Sequence, residues 1–176
     1  MNIRTNFNST FANRGMSLEN DINESNKYYV DYDIALIYKK PTPIRITKTN
    51  YKNMRITDGF FESPSTLDYN GVYKGYYIEF DAKETRSKTS FPIDNIHKHQ
   101  IDHLIKVKNH GGISFLVIRF TTINKTFLLE TEKLEKFLYN NERKSIPLSY
   151  ISDNGYLISE NYNPRLEYIK IIDKLL

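Results

Sequence analysis

STLDYNGVYKGYYIEFDAKET, residues 65–85, reads as a chain that folds back on itself about one dipeptide. Tyr76, Ile78, Phe80 and Ala82 alternate with Tyr77, Glu79, Asp81 and Lys83, the period of a strand with one buried face. Asn70-Gly71 is a rival turn and by itself the stronger dipeptide. Lys74-Gly75 is preferred because it leaves two longer strands with matched alternation. With a two-residue loop there, Tyr73 faces Tyr76, Asp68 falls across from Asp81, and Thr66 falls across from Lys83. Opposed residues on antiparallel strands share a face, with Cβ atoms about 4.5–5.5 Å apart. Asp81 and Lys83, two apart, share that face as well. Two carboxylates, a hydroxyl and an ammonium thus gather on one patch.

Opposed carboxylates repel, which makes the pair costly as structure alone. A divalent cation removes that cost, and hard oxygen ligands suit Mg²⁺ or Mn²⁺, which keep several waters and accept phosphate oxygens. A neighbouring lysine can position a water or stabilise developing negative charge. These are the parts of a phosphodiester hydrolase. On spacing alone, the same residues also read as solvent-facing acids balanced by Lys83 and Lys74.

Outward from the hairpin, Phe91-Pro92 precedes an expected helix from about Pro92 to Asn109, ended by Gly111-Gly112. Its inward stripe is Ile93, Ile96, Gln100, Leu104 and Val107. Buried there, Gln100 needs a polar partner: either the Asp/Lys patch or sheet backbone. His97, His99 and His103 sit on this segment without Cys or an HExxH pattern, and read as structural or surface residues. Ile113 to Phe120 is nearly continuously apolar and so a central strand. Lys125 to Glu130 is a further strand, and Thr131 caps a helix through Tyr139. Arg143 to Ser145 is a basic loop. Asn163-Pro164 opens a last helix carrying Leu166, Ile169, Ile172 and Leu176. On the N-terminal side, Ser17 caps a helix of about three turns through Leu18, Ile22, Ser25 and Tyr29. Asp33 to Lys39 reads as a strand, and Ile44 to Thr49 as an edge strand or projecting ribbon. Tyr51 to Pro64 is weakly patterned and expected to be mobile. The order gives a mixed α/β architecture with a central sheet flanked by helices.

The chain has 176 residues, 39% of them hydrophobic. That suits one domain with an appendage: a flexible arm over residues 1–15 and a single domain over 16–176. The net charge is only +4, but it is unevenly spread. No acidic residue occurs from Met1 to Leu18, which includes Arg4 and Arg14. None occurs from Ile34 to Thr57, which carries Lys39, Lys40, Arg45, Lys48, Lys52 and Arg55. One-sided basic segments suit a polyanion, because neutralised phosphates release counterions. The absence of Cys excludes disulfides, thiol nucleophiles and Cys-based zinc sites. With no apolar signal region and no run of about 18 apolar residues, the expectation is a cytoplasmic protein without a membrane role.

The extended run STLDYNGVYKGYYIEFDAKETRSKTSFPIDNIHKHQIDH resembles the active-site region of RecU-type Holliday junction resolvases. NRGMSLENDINESNKYY, KKPTP and NPRLEYIKII are similar too, so the likeness spans about Asn13 to the C-terminus. The resemblance implies a restriction-endonuclease-like core whose motif is an acid, a hairpin, then acid-x-Lys. Asp68, Asp81 and Lys83 are then catalytic, and Thr66, Asp68, Asp81 and Gln100 surround Mg²⁺ or Mn²⁺. The family usually has Glu where this chain has Asp81. The basic stretch becomes a stalk at about 41–64 that enters a four-way junction. Arg14, Lys39, Lys40, Arg45, Lys48, Lys52 and Arg55 are DNA-contact candidates, with Arg143-Lys144 as further phosphate contacts. A homodimer is implied, with recombinase and branch-migration proteins as further partners. The rivals are a restriction or repair endonuclease on duplex DNA, and a non-catalytic junction-binding modulator of a recombinase.

Overall fold

The computed structural model describes residues 17–61 and 66–176. The expected arm, with Arg14, lies outside the described residues. The elements run α1 (Leu18–Asp31), β1 (Leu36–Lys39), β2 (Ile44–Asn50), β3 (Arg55–Phe61), β4 (Tyr69–Tyr73), β5 (Tyr76–Thr85) and β6 (Ser90–Pro92). They continue with α2 (Lys98–Asn109), β7 (Ile113–Phe120), β8 (Lys125–Glu130), α3 (Thr131–Asn140), β9 (Ser145–Pro147), α4 (Leu148–Asn154), β10 (Tyr156–Leu157) and α5 (Ile169–Ile172).

The turn falls at Lys74-Gly75, where φ is 49° and 84°. Two successive left-handed residues match the twist of the flanking strands. The register follows, from Tyr73↔Tyr76 to Tyr69↔Phe80. The rival Gly71 serves another purpose. It lies inside β4, where a Cβ would stand 2.0 Å from the Leu36 carbonyl oxygen of β1. Glycine is needed there for close approach of two backbones.

One six-stranded sheet runs in the order β1-β4-β5-β7-β8-β10. Only β5 and β7 pair in parallel, joined through α2. Period two divides the sheet's side chains between two cores. Ile78, Phe80, Phe115 and Val117 pack with Leu18, Ile22 and Tyr29 of α1 and with Tyr168 and Ile172. On this side Tyr69, Phe80 and Phe115 stack in series, with centroids 4.9 and 4.7 Å apart. Leu116, Ile118 and Leu129 face the other way, against Leu104, Leu134, Phe137 and Ile151. The buried Arg119 of β7 ties Asp21 of α1 at 2.6 Å, which fixes how that helix lies on the sheet.

Several expectations need correction. Asp33 has φ 54° and belongs to the turn after α1, so β1 begins at Leu36. The weakly patterned stretch holds β3, which pairs with β2 as a separate two-stranded ribbon. Its exposure removes the one-sided pattern that reveals a strand. The helix expected from Pro92 begins at Lys98 instead. Pro92 pairs with Ser145 in the β6–β9 ribbon, and Ile93–Asn95 forms a 3₁₀ turn. Thr131 is the first residue of α3 and not its cap, because its hydroxyl is spent on the Ser114 carbonyl at 2.8 Å. The expected basic loop at Arg143 to Ser145 runs into β9 and α4. The last helix shrinks to Ile169–Ile172, since Leu166 is held in a bridge with Glu160.

Candidate active site

Strand β5 outlasts its partner. The paired ladder with β4 ends at Tyr69↔Phe80, while β5 continues to Thr85 against β7. The freed edge is taken by a side chain: Asp68 Oδ2 accepts the Ala82 N–H at 3.4 Å. Asp68 therefore lies one step beyond the ladder beside Asp81, where the turn register puts it. Glu79, Asp81 and Lys83 project from the same face of β5, the face that α2 covers.

Asp81 is fully buried, at 0% exposure. Lys83 Nζ stands 2.6 Å from its Oδ2, and Gln100 Nε2 donates to its Oδ1 at 3.2 Å. The Lys83 contact is one of charge, since Oδ2 has no hydrogen-bond donor of proper geometry. Burial pushes the Asp81 carboxyl well above the usual carboxylate range, and the Asp68 charge pushes it further; Lys83 opposes both without cancelling them. An anion so placed is under-compensated by protein alone.

Gln100 reaches Asp81 because of where α2 starts. It is the third residue of the helix, and its Oε1 accepts the His97 N–H at 3.2 Å. That is the reach-back half of a capping box. The cap fixes the amide, leaving the NH₂ to point at Asp81. Gln100 thus acts from the helix's first turn, as a partner of the carboxylate.

Thr66 lies off the ladder, on the exposed side. Its Oγ1 accepts from Lys40 Nζ at 2.9 Å, and the Lys40 N–H donates to the Asp68 carbonyl at 2.8 Å. Lys40 is therefore turned toward the site, and its ammonium is ion-paired with Glu79. Lys39 is ion-paired with Glu19 of α1. Arg45, Lys48, Lys52 and Arg55 are exposed on the β2–β3 ribbon and its turn, and Arg143 and Lys144 are exposed ahead of β9.

Glu79 is not among the site residues named from the sequence. It is 1% exposed, and Lys40, His103 and Tyr77 all meet its carboxylate. Burial alone would raise its carboxyl; hydrogen bonds from Lys40 and then His103 outweigh that and hold it below the usual range. The available signal was parity, since Glu79 is two residues from Asp81. Glu84, on the opposite face, accepts the Leu18 N–H at 2.9 Å and so anchors the start of α1. A cleft of about 260 Å³ opens there, lined by Ser17, Leu18, Asp68, Ala82, Lys83 and Glu84. It gives a solvent-borne group a path to Lys83 and Asp68.

The donors fit a hard divalent cation. Asp81 Oδ2 is buried and, among the described residues, meets no protein donor but the Lys83 ammonium, and a second carboxylate and a Gln amide adjoin the carboxyl. Among the described residues no three His, Asp or Glu side chains converge as a metal cluster. Two carboxylates with water and phosphate completing the shell is a Mg²⁺-like arrangement.

The sequence profile of the recombination protein U family, RecU, matches residues 13–174. The Holliday junction resolvases RecU of Staphylococcus aureus strains JH9 and MRSA252 are each 49% identical over 175 residues, covering 96% of this chain and 84% of theirs. Among solved structures, Hjc, a Holliday junction resolvase of Archaeoglobus fulgidus, aligns with a TM-score of 0.43 and 11% identity over 74% of this chain and 90% of its own. With a profile match along nearly the whole chain and close to half of its residues shared with curated relatives, the protein belongs to the RecU family.

Proposed function

We propose that this chain is a Holliday junction resolvase, a metal-dependent endodeoxyribonuclease that hydrolyses phosphodiesters in four-way junctions during homologous recombination and DNA repair. The observation that carries the reading is the buried, under-compensated Asp81 beside Asp68, with Lys83 and Gln100 in contact with it. Membership of a family with resolvases at 49% identity supports it.

Asp68 and Asp81 would hold Mg²⁺ or Mn²⁺, with Gln100 and Thr66 beside them. When bound, such an ion neutralises charge on the phosphate and supplies a water of lowered pKa. Lys83 presents its ammonium to the attacking water and to the charge that builds on the phosphoryl oxygens. Gln100 fixes the rotamer of Asp81 through its own cap. Asp81 is one methylene shorter than the Glu usual in the family, so it would reach a bound ion with a shorter side chain.

The β2–β3 ribbon is the stalk of this reading. Arg45, Lys48, Lys52 and Arg55 contact junction phosphates, with Lys39 nearer the body; Arg14, outside the described residues, is a further phosphate-contact candidate. Such contacts position DNA without reading sequence. The substrate's symmetry calls for a homodimer that nicks two related strands, one site in each protomer. No helix of the described residues is long and apolar enough to cross a membrane, and the reading places the enzyme in the cytoplasm with the DNA, alongside recombinase and branch-migration proteins.

The test is a nicking assay with Mg²⁺ on a synthetic four-way junction and on a linear duplex of the same arm sequence. The expected result is symmetric nicking of the junction with the duplex cut far more slowly. Equal cutting of both would make the protein a general duplex endonuclease. Junction binding without metal-dependent cleavage would make it a non-catalytic modulator.

A further inference from the structure

The ion pair between Glu79 and Lys40 lies beside the site and touches it through Thr66 and the Asp68 backbone. Glu79 is buried on β5, with one carboxylate oxygen toward Lys40 and the other toward His103 Nε2 at 2.9 Å and Tyr77 Oη at 3.0 Å. Lys40 immediately follows β1 and precedes the ribbon. Its ammonium also donates to Thr66 Oγ1 and its N–H to the Asp68 carbonyl. His103 lies one turn beyond Gln100 on α2. One buried carboxylate therefore ties together the foot of the ribbon, the segment bearing Thr66 and Asp68, and the helix that bears Gln100. These are the separate pieces of chain that must converge on Asp81.

We infer that Glu79 and Lys40 form a positioning clamp that sets Thr66 and Asp68 against Asp81 and anchors the ribbon to the chemistry, so that Lys40 works inside the protein and not as a phosphate contact. The inference rests on the nuclease reading given above. A buried carboxylate held by three donors is committed to one geometry, because losing any donor leaves charge uncompensated in the interior. A lysine so engaged has two of its three N–H donors committed, to Glu79 and Thr66, so carrying its charge out to a phosphate would mean abandoning Glu79. Partners that orient metal donors in this way typically matter by about 10–100-fold in activity or metal affinity.

The two roles of Lys40 predict different observables. Removing a cation that neutralises a phosphate weakens binding at every sequence and lowers the slope of log affinity against log salt by about one. Removing a clamp leaves affinity and slope alone and slows the cut in bound DNA. The experiment measures metal-free junction binding across a salt series and single-turnover cleavage at saturating protein, over a Mg²⁺ titration. The proteins are wild type, Glu79→Gln, Lys40→Met, Lys40→Arg, the Glu79→Gln/Lys40→Met double variant, and Asp81→Ala as control. Both single variants should bind with the wild-type slope, cleave about 10–100-fold more slowly, and need more Mg²⁺. The double variant should be no worse than either single, as expected of two residues acting as a unit. Lys40→Arg should recover part of the rate. Should Glu79→Gln fail to fold, Lys40→Met, whose side chain is partly exposed, carries the test. A reduced salt slope with an unchanged bound-state rate for Lys40→Met would overturn the clamp, as would wild-type cleavage by Glu79→Gln. Failure of the nuclease reading looks different: wild type and Asp81→Ala would then cleave equally poorly.

Discussion

The β4–β5 hairpin and the β2–β3 ribbon are both antiparallel pairs, yet they make opposite use of that geometry. The hairpin turns at two left-handed residues and continues as interior strands of the six-stranded sheet. The ribbon pairs only with itself. Along β2 and β3 every residue but Thr49 is exposed, including Ile44, Ile46, Ile56, Phe60 and Phe61. In the hairpin, burial fixes register, since a slip of one residue would exchange Ile78 and Phe80, which pack under α1, with the buried carboxylates Glu79 and Asp81 on the opposite face. In the ribbon no burial enforces register, and the pairing shifts on both sides of Lys48. A site that must place donors accurately sits on the first kind of hairpin. An exposed basic ribbon of the second kind suits the phosphate contacts proposed above.

The largest test of this division is removal of the hairpin's chemistry. Asp81→Ala and Lys83→Ala should each lower single-turnover cleavage by at least about 100-fold while metal-free junction binding stays at the wild-type level. Loss of binding in step with cleavage would mean that the hairpin also carries the affinity.

A second test puts the same change into both hairpins. Gly71→Ala drives a Cβ to 2.0 Å from a backbone oxygen of β1, whereas the ribbon's Gly59 would bring one no closer than 3.1 Å to the Arg45 oxygen. Gly71→Ala should cost about 1–3 kcal/mol in denaturant unfolding. Gly59→Ala should cost less than about 0.5 kcal/mol, since the ribbon can open without unfolding the sheet. Equal costs would mean that the ribbon is part of the cooperative unit.

Next in size, Lys48→Ala with Arg55→Ala should weaken junction binding by about 10-fold and lower the salt slope by about one for each phosphate left without its cation. The unfolding midpoint should not move. A shifted midpoint would show these cations to be structural.

The smallest effect concerns pH. The Asp81 carboxyl is raised in the folded protein by burial and then by Asp68. A raised group contributes stability that is present below its unfolded value and lost as pH rises through the folded one. In metal-free protein, Asp81→Asn should therefore raise Tm at slightly alkaline pH and have little effect in acid. The opposite trend would indicate a carboxylate already satisfied by Lys83.

The same contrast explains what the sequence discloses. Residues 76–83 announce their strand because apolar and polar side chains alternate along them, and the turn register by itself places Asp68 beside Asp81. Gln100 is legible as a polar residue on an apolar stripe, although the reason it works is the late start of α2, which hinges on Pro92 pairing with Ser145 across the chain. Such nonlocal pairing leaves no local trace. β3 escapes notice because an exposed strand has no burial period to read. Glu79 is easily passed over because its partners Lys40 and His103 come from distant segments, even though its parity with Asp81 is visible. Lys40 stands in a basic run, and only tertiary packing separates it from Arg45 and Lys48.

The most direct measurement is calorimetric titration of Mn²⁺ into metal-free wild type and Asp81→Ala at neutral pH, in buffers of different ionisation enthalpy. The account predicts saturable binding with proton release in the wild type, and loss of both in the variant. Identical isotherms for the two proteins would contradict it.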